Sequence, residues 1–212
     1  MPDQIERELK LELPDLAAHD RLLAVIPNHS GEWLQTNMYF DTGEFRLLRR
    51  GAMLRVRIEE RPDRRRVTAT LKIAIINHDG YIEAREIEAP FTNELMTDPG
   101  GVQAVAALPR SVRDRLANLT GGEPIRMLGS TSNARLLFTP EEQCQAALDH
   151  TIFSNGDEDY ELEIEGPSME RSRLLADRWL LAAGVTCGPQ RKTKYQRFLE
   201  RSHPRARWHF HS

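Results

Sequence analysis

The stretch that decides the fold is residues 5–13, IERELKLEL, near the amino terminus. Its isoleucine and leucines share one face of an extended chain, whereas Glu6, Glu8 and Lys10 share the opposite face. Strict alternation with a period of two predicts a β-strand that is buried on its apolar side. Because the second face carries both signs of charge, it is either a solvated sheet surface or part of a charged interior.

The same alternation recurs along the chain and predicts a largely antiparallel β protein with a few packed helices. Helical spacing predicts a helix from residue 14 to Pro27, helical structure interrupted by proline and glycine over residues 93–122, and a long helix at residues 168–183. In that long helix, Trp179 is predicted to belong to the core. Further strands are predicted at residues 33–40, 53–59, 67–75, 81–89, 125–128, 133–138, 143–148 and 160–165.

Size and composition exclude several classes of protein. The chain of 212 residues contains no apolar run near the roughly 18 residues that a membrane span needs, and its first residues lack a secretory pattern. Its net charge of −3 gives no reason to expect binding to nucleic acid or to an anionic membrane. Cys144 and Cys187 lie far apart without metal-ligand spacing, which fits a reducing cytoplasm.

Five predicted strands carry ionisable groups at i and i+2 on their polar faces, and the sign differs from strand to strand. On any single strand the simplest interpretation is a solvated face. Five such faces favour a sheet rolled into a closed barrel, because closure turns one face of every strand inward. Acidic and basic walls would then oppose each other across a water-filled lumen. The positions are Glu6, Glu8 and Lys10; Arg55 and Arg57; Lys72; Glu86 and Glu88; and Glu161, Glu163 and Glu165.

These walls suit one kind of ligand. Carboxylates supply the hard oxygen ligands that Mg²⁺ and Mn²⁺ prefer, whereas arginine forks and lysine ammonium groups bind phosphate oxygens. Three glutamates at i, i+2 and i+4, as in residues 161–165, would repel one another on one face without a cation. The sequence therefore predicts a metal-dependent site for a linear, highly anionic phosphate compound.

The order of the motifs resembles the CYTH domain family, also called the triphosphate tunnel metalloenzymes. Residues 6–10, ERELK, are similar to the family's ExExK signature, and residues 35–42, QTNMYFDT, resemble its second-strand signature. The resemblance covers roughly residues 4–199. The remaining matching motifs are Leu54 to Arg57, Thr70 to Lys72, Glu86 to Glu88, Asn133 to Arg135, Leu148 and Asp149, Glu161 to Glu165, and Thr193 to Tyr195.

The resemblance implies an α+β, mainly antiparallel β fold: an eight-stranded closed β-barrel with helices packed outside. It implies a single domain at residues 1–200, and the tail at residues 201–212 is expected to be poorly ordered. It also implies a divalent metal, Mg²⁺ or Mn²⁺, with two ions per site when substrate is bound. No feature of the sequence determines the oligomeric state, so both a monomer and a homodimer remain open.

Site residues follow from the resemblance by position. Glu6 and Glu8 would be metal ligands and would act in catalysis. Glu161 and Glu163 would complete the metal site, and Glu165 competes with them for the same two family positions. Asp149 would bind a second metal or orient water, while Glu86 and Glu88 would ligate a metal or pair with the basic wall. The residues expected to hold the phosphate chain are Lys10, Arg55, Arg57, Lys72, Arg135 and Lys194, the first four of them also in catalysis.

The reaction that the resemblance implies is in-line attack of water on the terminal phosphorus of a triphosphate, with inorganic tripolyphosphate as the leading substrate. Thiamine triphosphate and nucleoside triphosphates remain alternatives, because every motif residue addresses phosphate. A class IV adenylate cyclase is a second hypothesis; Asn37 stands where such cyclases tend to carry aspartate. A polyphosphate-binding module without turnover is a third.

Overall fold

The chain folds into a closed antiparallel β-barrel with helices packed on its outside. The computed structural model describes residues 4–91, 102–103 and 108–203. Its strands are β1 Gln4–Leu13, β2 His29–Thr42, β3 Met53–Arg61, β4 Arg64–His78, β5 Tyr81–Pro90, β6 Val102–Gln103, β7 Ile125–Glu141, β8 Cys144–Phe153, β9 Glu158–Glu165 and β10 Gly188–Pro189. Its helices are α1 Leu16–Leu23, α2 Arg46–Arg49, α3 Arg110–Thr120, α4 Met169–Ala183 and α5 Lys194–Ser202.

Closure of the barrel depends on the first strand. The hydrogen-bonded order is β1-β5-β4-β3-β2-β7-β8-β9, and β9 pairs again with β1. At this seam Glu8 lies opposite Glu165 and Lys10 lies opposite Glu163. The short strands β6 and β10 add to the outside of this ring, on β7 and β1. The predicted eight-stranded closed barrel is therefore confirmed.

The hydrophobic core lies between the barrel wall and the helices, and the lumen is polar. On one side, α1 and α4 cover the outer faces of β1, β8 and β9, with Leu22 and Trp179 fully or almost fully buried. On another side, α2 and α3 cover the outer faces of β2 to β5 around Phe40, Leu54 and Leu116. Because the apolar face of each strand packs outward against helices, its charged face must point into the barrel.

Helix α5 packs against the ends of β2, β3 and β8 and was not predicted from the sequence. Its residues Tyr195, Phe198 and Leu199 are buried against aromatic and apolar side chains of those strands. A capping box of Thr193 and Gln196 begins the helix, which places Lys194 in its first turn. A Cβ at Gly129, where φ is +146°, would come within 3.0 Å of Phe198, so glycine permits this close packing.

Several predicted boundaries differ from the observed ones. The predicted strands at 125–128 and 133–138 form one strand, β7, which bends through a register shift opposite Tyr39 and Phe40. Strand β4 begins at Arg64, ahead of the predicted strand at 67–75, because Pro62 and Asp63 alone make the turn. Of the helical region predicted at 93–122, α3 is observed and residues 92–101 and 104–107 lie outside the described residues. The predicted tail also lies outside them from residue 204 onward.

No helix within the described residues is long and apolar enough to cross a membrane.

Candidate active site in the barrel lumen

The lumen brings together the six basic residues expected to hold phosphate. Four strands and one helix contribute them, and each of these side chains is buried or nearly so. Arg57, for example, keeps 13% of its side chain exposed and Arg135 keeps 17%. They are Lys10 from β1, Arg55 and Arg57 from β3, Lys72 from β4, Arg135 from β7 and Lys194 from α5.

A first carboxylate cluster lies on β1 and β9, where Glu6, Glu8 and Glu165 each offer an oxygen within 4.8 Å of the others. Lys72 contacts Glu6 and lies 3.2 Å from Glu86, whereas Lys10 lies 3.0 Å from Glu8. Within the residues that the structure describes, this cluster therefore contacts the basic wall through two lysines.

The charges in this first cluster are incompletely balanced. Burial alone would raise the pKa of Glu6, but the ammonium group of Lys72 outweighs burial and lowers that pKa to about 2. Burial raises the pKa of Glu8 to about 8 in spite of Lys10, and the neighbouring carboxylates of Glu6 and Glu163 add to the rise. Burial and the same two neighbours also raise the pKa of Glu165. A divalent cation would relieve this repulsion.

A second carboxylate cluster consists of Asp149, Glu161 and Glu163 and is fully buried. Arg135 binds Asp149 through two hydrogen bonds of 2.8 and 2.6 Å and reaches Glu163 at 2.5 Å. Lys194 lies 2.7 Å from Asp149 and 3.2 Å from Glu161. Burial opposes ionisation here, yet the cations outweigh it and hold the pKa values of all three acids below their usual range. In the free protein this cluster is already neutralised by protein cations.

Both clusters fit a hard divalent cation, because each presents three carboxylate oxygens close together and no softer ligand. The first fits better in the free protein because the two lysines that contact it are shared with Glu86 and Glu163. Glu165, which competes with Glu161 and Glu163 for two predicted ligand positions, belongs to this first cluster. Glu86 instead contacts the basic wall, where it lies 3.2 Å from Lys72, whereas Glu88 accepts a hydrogen bond of 3.2 Å from the neutral Thr70 hydroxyl.

A chain of buried polar side chains crosses β3, β2, β7 and β8 beside the second cluster, and sequence reasoning missed it. Gln35 donates to Glu59 at 2.7 Å, Asn133 donates to Gln35 at 2.9 Å, and Asn133 also donates to Asp149 at 3.0 Å. The Thr151 hydroxyl donates to the side-chain amide oxygen of Asn133 at 2.7 Å. The alternation of β2 was the available signal, because it places Gln35 on the same face as Asn37 and Tyr39.

Arg197 is a second residue that the sequence did not single out. It is 4% exposed, and its guanidinium lies 2.6 Å from Glu161 and 2.7 Å from Asp159. These contacts attach α5 to β9 directly behind the second cluster. Its position in α5, one turn after Lys194, was visible, but the helix itself was not predicted.

Asp41 has a structural role at the edge of the site. Its carboxylate accepts hydrogen bonds from the backbone of Thr42, Leu47 and Leu48 and from the Tyr195 hydroxyl at 3.1 Å. It thereby joins the end of β2 to both α2 and α5. The aspartate of the second-strand motif therefore holds the helices in place, and its hydrogen bonds within the described residues go to backbone groups and to Tyr195.

Two cavities follow one another along the lumen. A cleft of about 980 Å³ opens where β1, β4, β5 and β9 begin or end, with Glu6, Glu86 and Glu165 facing Arg66. Further along β1 lies a smaller cavity of about 50 Å³, lined by Glu8, Lys10, Arg55, Lys72 and Lys194 among others. The charged groups thus line a path from an open mouth to an inner end covered by α5.

Solved structures with the same architecture cover almost the whole chain. HpAC1 from Hippeastrum, an adenylyl cyclase candidate with a dominant triphosphatase activity, has a TM-score of 0.81 at 25% identity, with 93% of this chain and 96% of that chain covered. An adenylate cyclase candidate from Bacillus halodurans has a TM-score of 0.68 at 28% identity and covers 93% and 99%. The PH1819 protein from Pyrococcus horikoshii shares the fold, with a TM-score of 0.61 at 15% identity, and covers 92% and 99%.

Among curated proteins, none matches the chain significantly. The family comparison is decisive, since the CYTH domain matches residues 4–198 and therefore spans every strand of the barrel. The chain therefore belongs to the CYTH domain family.

Proposed function

We propose that this protein is a metal-dependent triphosphatase that hydrolyses the terminal phosphoanhydride of inorganic tripolyphosphate. The observation that carries the proposal is the buried lumen itself, in which six basic side chains surround two carboxylate clusters. Burying that many charges is unfavourable unless each finds a partner. A linear polyphosphate with divalent cations supplies partners for both signs.

Four of the basic residues would bind the phosphate chain in the inner cavity, which is lined by Lys10, Arg55, Lys72 and Lys194. Arg57 and Arg135 face the chain from β3 and β7. Burial lowers the pKa of Arg57 to about 10, and the neighbouring charges of Arg55 and Arg135 add to this effect, so an anion between these arginines would be strongly favoured.

Glu6, Glu8 and Glu165 would hold one divalent cation, and Asp149, Glu161 and Glu163 would hold a second once phosphate oxygens compete for Arg135 and Lys194. When bound, such ions supply charge neutralisation of the phosphates and a water of lowered pKa. Oxygen-only ligands favour Mg²⁺ or Mn²⁺.

Hydrolysis then requires in-line attack of a water on the terminal phosphorus and departure of diphosphate. Lys10, Lys72 and Arg55 would stabilise the charge that spreads over the equatorial and leaving oxygens. Because Asp149 is held ionised by Arg135 and Lys194, its role would be to position those cations and the attacking water. Closure of the lumen by α5 would exclude bulk water from the reacting phosphate.

Inorganic tripolyphosphate is favoured over an organic triphosphate by the aromatic side chains. The Trp33 ring lies against the guanidinium groups of Arg61 and Arg66, at 4.7 and 5.4 Å from its centre. Tyr39 packs against Tyr195 and Phe198, with ring centres 5.3 and 4.9 Å apart. These rings already have neighbours on their faces, so they offer no free platform for a base or a thiazolium ring.

The comparison with HpAC1 supports hydrolysis, because that protein has a dominant triphosphatase activity. A class IV adenylate cyclase is the second candidate, favoured by the similarity to the Bacillus halodurans adenylate cyclase candidate. The two reactions differ in product: hydrolysis of tripolyphosphate releases phosphate, whereas cyclisation of ATP releases cyclic AMP and diphosphate.

The test is turnover of tripolyphosphate, thiamine triphosphate and ATP with Mg²⁺ and separately with Mn²⁺, following phosphate, diphosphate and cyclic AMP. A Glu6→Gln/Glu8→Gln variant should lose metal-dependent turnover. Glu12→Gln serves as the matched control, because Glu12 lies on the same strand and is exposed. Rapid phosphate release from tripolyphosphate, lost in the double variant and kept in the control, supports the proposal.

Each other result points elsewhere. Formation of cyclic AMP from ATP would show that the protein is an adenylate cyclase. Faster turnover of thiamine triphosphate than of tripolyphosphate would make thiamine triphosphate the preferred substrate. Tight binding without any product would leave a polyphosphate-binding module. The expected cytoplasmic location, the monomer or homodimer and the single domain at residues 1–200 remain predictions; Cys144 and Cys187 are both free thiols.

A further inference from the structure

The amide of Asn37 has a fixed orientation and an unused donor. Asn37 lies in the inward-facing row of β2 and is fully buried. Its Oδ1 accepts a hydrogen bond of 2.8 Å from Arg57 Nε. Because a guanidinium group can only donate, the amide oxygen must face Arg57 and the Nδ2 group must face away from it. That Nδ2 group has no hydrogen-bond partner among the described residues.

Thr131, the residue beside Asn37 on the neighbouring strand, also has a buried donor without a described partner. Thr131 lies in β7, pairs in register with Asn37 and is 2% exposed. It belongs to the lumen row of Asn133 and Arg135, since β7 continues in register from residue 131 to residue 135. Its hydroxyl is also without a hydrogen-bond partner among the described residues. Two adjacent inward positions therefore each hold a neutral donor that no described residue accepts from.

Buried donors without partners are unfavourable and rare in folded proteins. An isolated one can be explained by a bound water, provided that the water finds several polar partners. Here both donors lie on the wall that also carries Arg57. In register, Arg57 faces Asn37 and Asn37 faces Thr131, so one cation and two neutral donors form a single row across three strands.

We propose that Asn37 and Thr131 form a neutral hydrogen-bonding subsite that binds phosphate oxygens of the substrate beside Arg57. The inference rests on the proposed function and extends it to two residues that are not among the predicted site residues. Neutral donors bind a phosphate oxygen without adding to the repulsion among Arg55, Arg57 and Arg135. An aspartate at position 37 would instead pair with Arg57 and repel the substrate.

The test measures the Kd for tripolyphosphate by calorimetry, once in EDTA and once with Ca²⁺. The melting temperature of each protein without ligand is measured as well. Asn37→Ala and Thr131→Val should each weaken binding by roughly 10-fold, as expected for a lost hydrogen bond to a charged group. Asn37→Asp should weaken it further. Thr131→Val leaves the Arg57 contact intact, so its effect cannot come from a displaced arginine.

Two controls separate the possible outcomes. Thr120→Val removes another buried hydroxyl without a described partner, in α3 outside the barrel, and should leave the Kd unchanged. Lys72→Met should abolish binding if the proposed phosphate site is right. The free Thr131→Val protein should melt at or above the wild-type temperature, because an unsatisfied group has been removed.

The inference is overturned, and the proposed function kept, if Lys72→Met loses binding while Asn37→Ala and Thr131→Val keep the wild-type Kd. A lowered melting temperature of Thr131→Val with unchanged Kd also overturns it, since the hydroxyl then has a structural or water-binding role. If wild type binds in neither condition, or if Lys72→Met binds as wild type does, the proposed function fails together with the inference.

Discussion

Replacing Arg197 by methionine removes a buried cation while keeping much of the length and apolar volume of the side chain. In the wild type, its guanidinium group lies 2.6 Å from Glu161 and 2.7 Å from Asp159. In the variant, both carboxylates would remain buried with fewer cations around them. We expect this single change to lower the free energy of unfolding more than removal of Arg201, the other arginine of α5.

The magnitude follows from the remaining partners. Removing one member of a buried ion pair costs roughly 3–5 kcal/mol. Glu161 keeps Lys194 at 3.2 Å and Asp159 keeps Arg201 at 2.7 Å, so the lower end applies. A loss of about 3 kcal/mol in a chain of this size corresponds to a melting temperature lower by roughly 6–12 °C.

The assay is urea unfolding in EDTA at pH 7, with Arg201→Met as the matched control. Arg201 has 23% of its side chain exposed, so its removal should cost about 1 kcal/mol or less. Adding Glu161→Gln to Arg197→Met should recover part of the loss, because it removes the unpaired charge. Burial opposes ionisation of Glu161, yet Arg197 and Lys194 lower its pKa below the ordinary 4.5.

Since that pKa is lowered in the folded wild type, the stability it contributes is present above pH 4.5 and is lost as the pH falls through the folded value. The difference in the free energy of unfolding between wild type and Arg197→Met should therefore become smaller at acidic pH. Equal losses for Arg197→Met and Arg201→Met, or no recovery with Glu161→Gln, would refute the assignment of a buried ion pair behind the second cluster.

Three further predictions concern other parts of the molecule. A Cβ at Gly80, where φ is +86°, would lie 2.6 Å from the backbone oxygen of Lys10, so Gly80→Ala should lower the melting temperature and raise the KM for tripolyphosphate; an unchanged melting temperature would contradict this. Burial raises the pKa of Glu8 to about 8, so its contribution to stability is present below pH 4.5 and is lost as the pH rises through 8. Binding of Mg²⁺ should accordingly release close to one proton per protein at pH 7 and far less at pH 9. The Glu8→Gln variant should release no proton when it binds Mg²⁺. Calorimetry in buffers of different ionisation enthalpy measures the number of protons released. Trp179→Ala should cost about 3–5 kcal/mol in urea unfolding, because Trp179 is 3% exposed in the outer core, and should leave the Kd for tripolyphosphate unchanged.

The fold could be predicted from the sequence largely because a strand has a period of two. Alternation in residues 5–13 puts Glu6, Glu8 and Lys10 on one face whatever the rest of the chain does. Repetition of charged faces on several strands, together with the order of the motifs, then indicated a closed barrel with a charged lumen. The basic residues that line it were found in this way, and the structure places all six there.

Elements governed by local signals outside that periodicity were harder to predict. Helix α5 is short and highly charged, and its apolar residues are held by contacts with Tyr39 and Phe153 from distant parts of the chain. Strand β7 was divided into two because its middle is glycine- and serine-rich, yet pairing with β2 on one side and β8 on the other keeps it continuous. In both cases long-range packing outweighs local preference.

The sequence by itself determined which side chains would face inward, since alternation along each strand needs no tertiary information. Only the tertiary structure decided how the acids group, because the register of β1 against β9 places Glu165 beside Glu8 and leaves Glu163 with Lys10. That register joins residues more than 150 positions apart, and a shift of one residue would turn the carboxylates outward. The same packing brings Arg197 behind Glu161 and leaves the donors of Asn37 and Thr131 without partners in the described part of the chain.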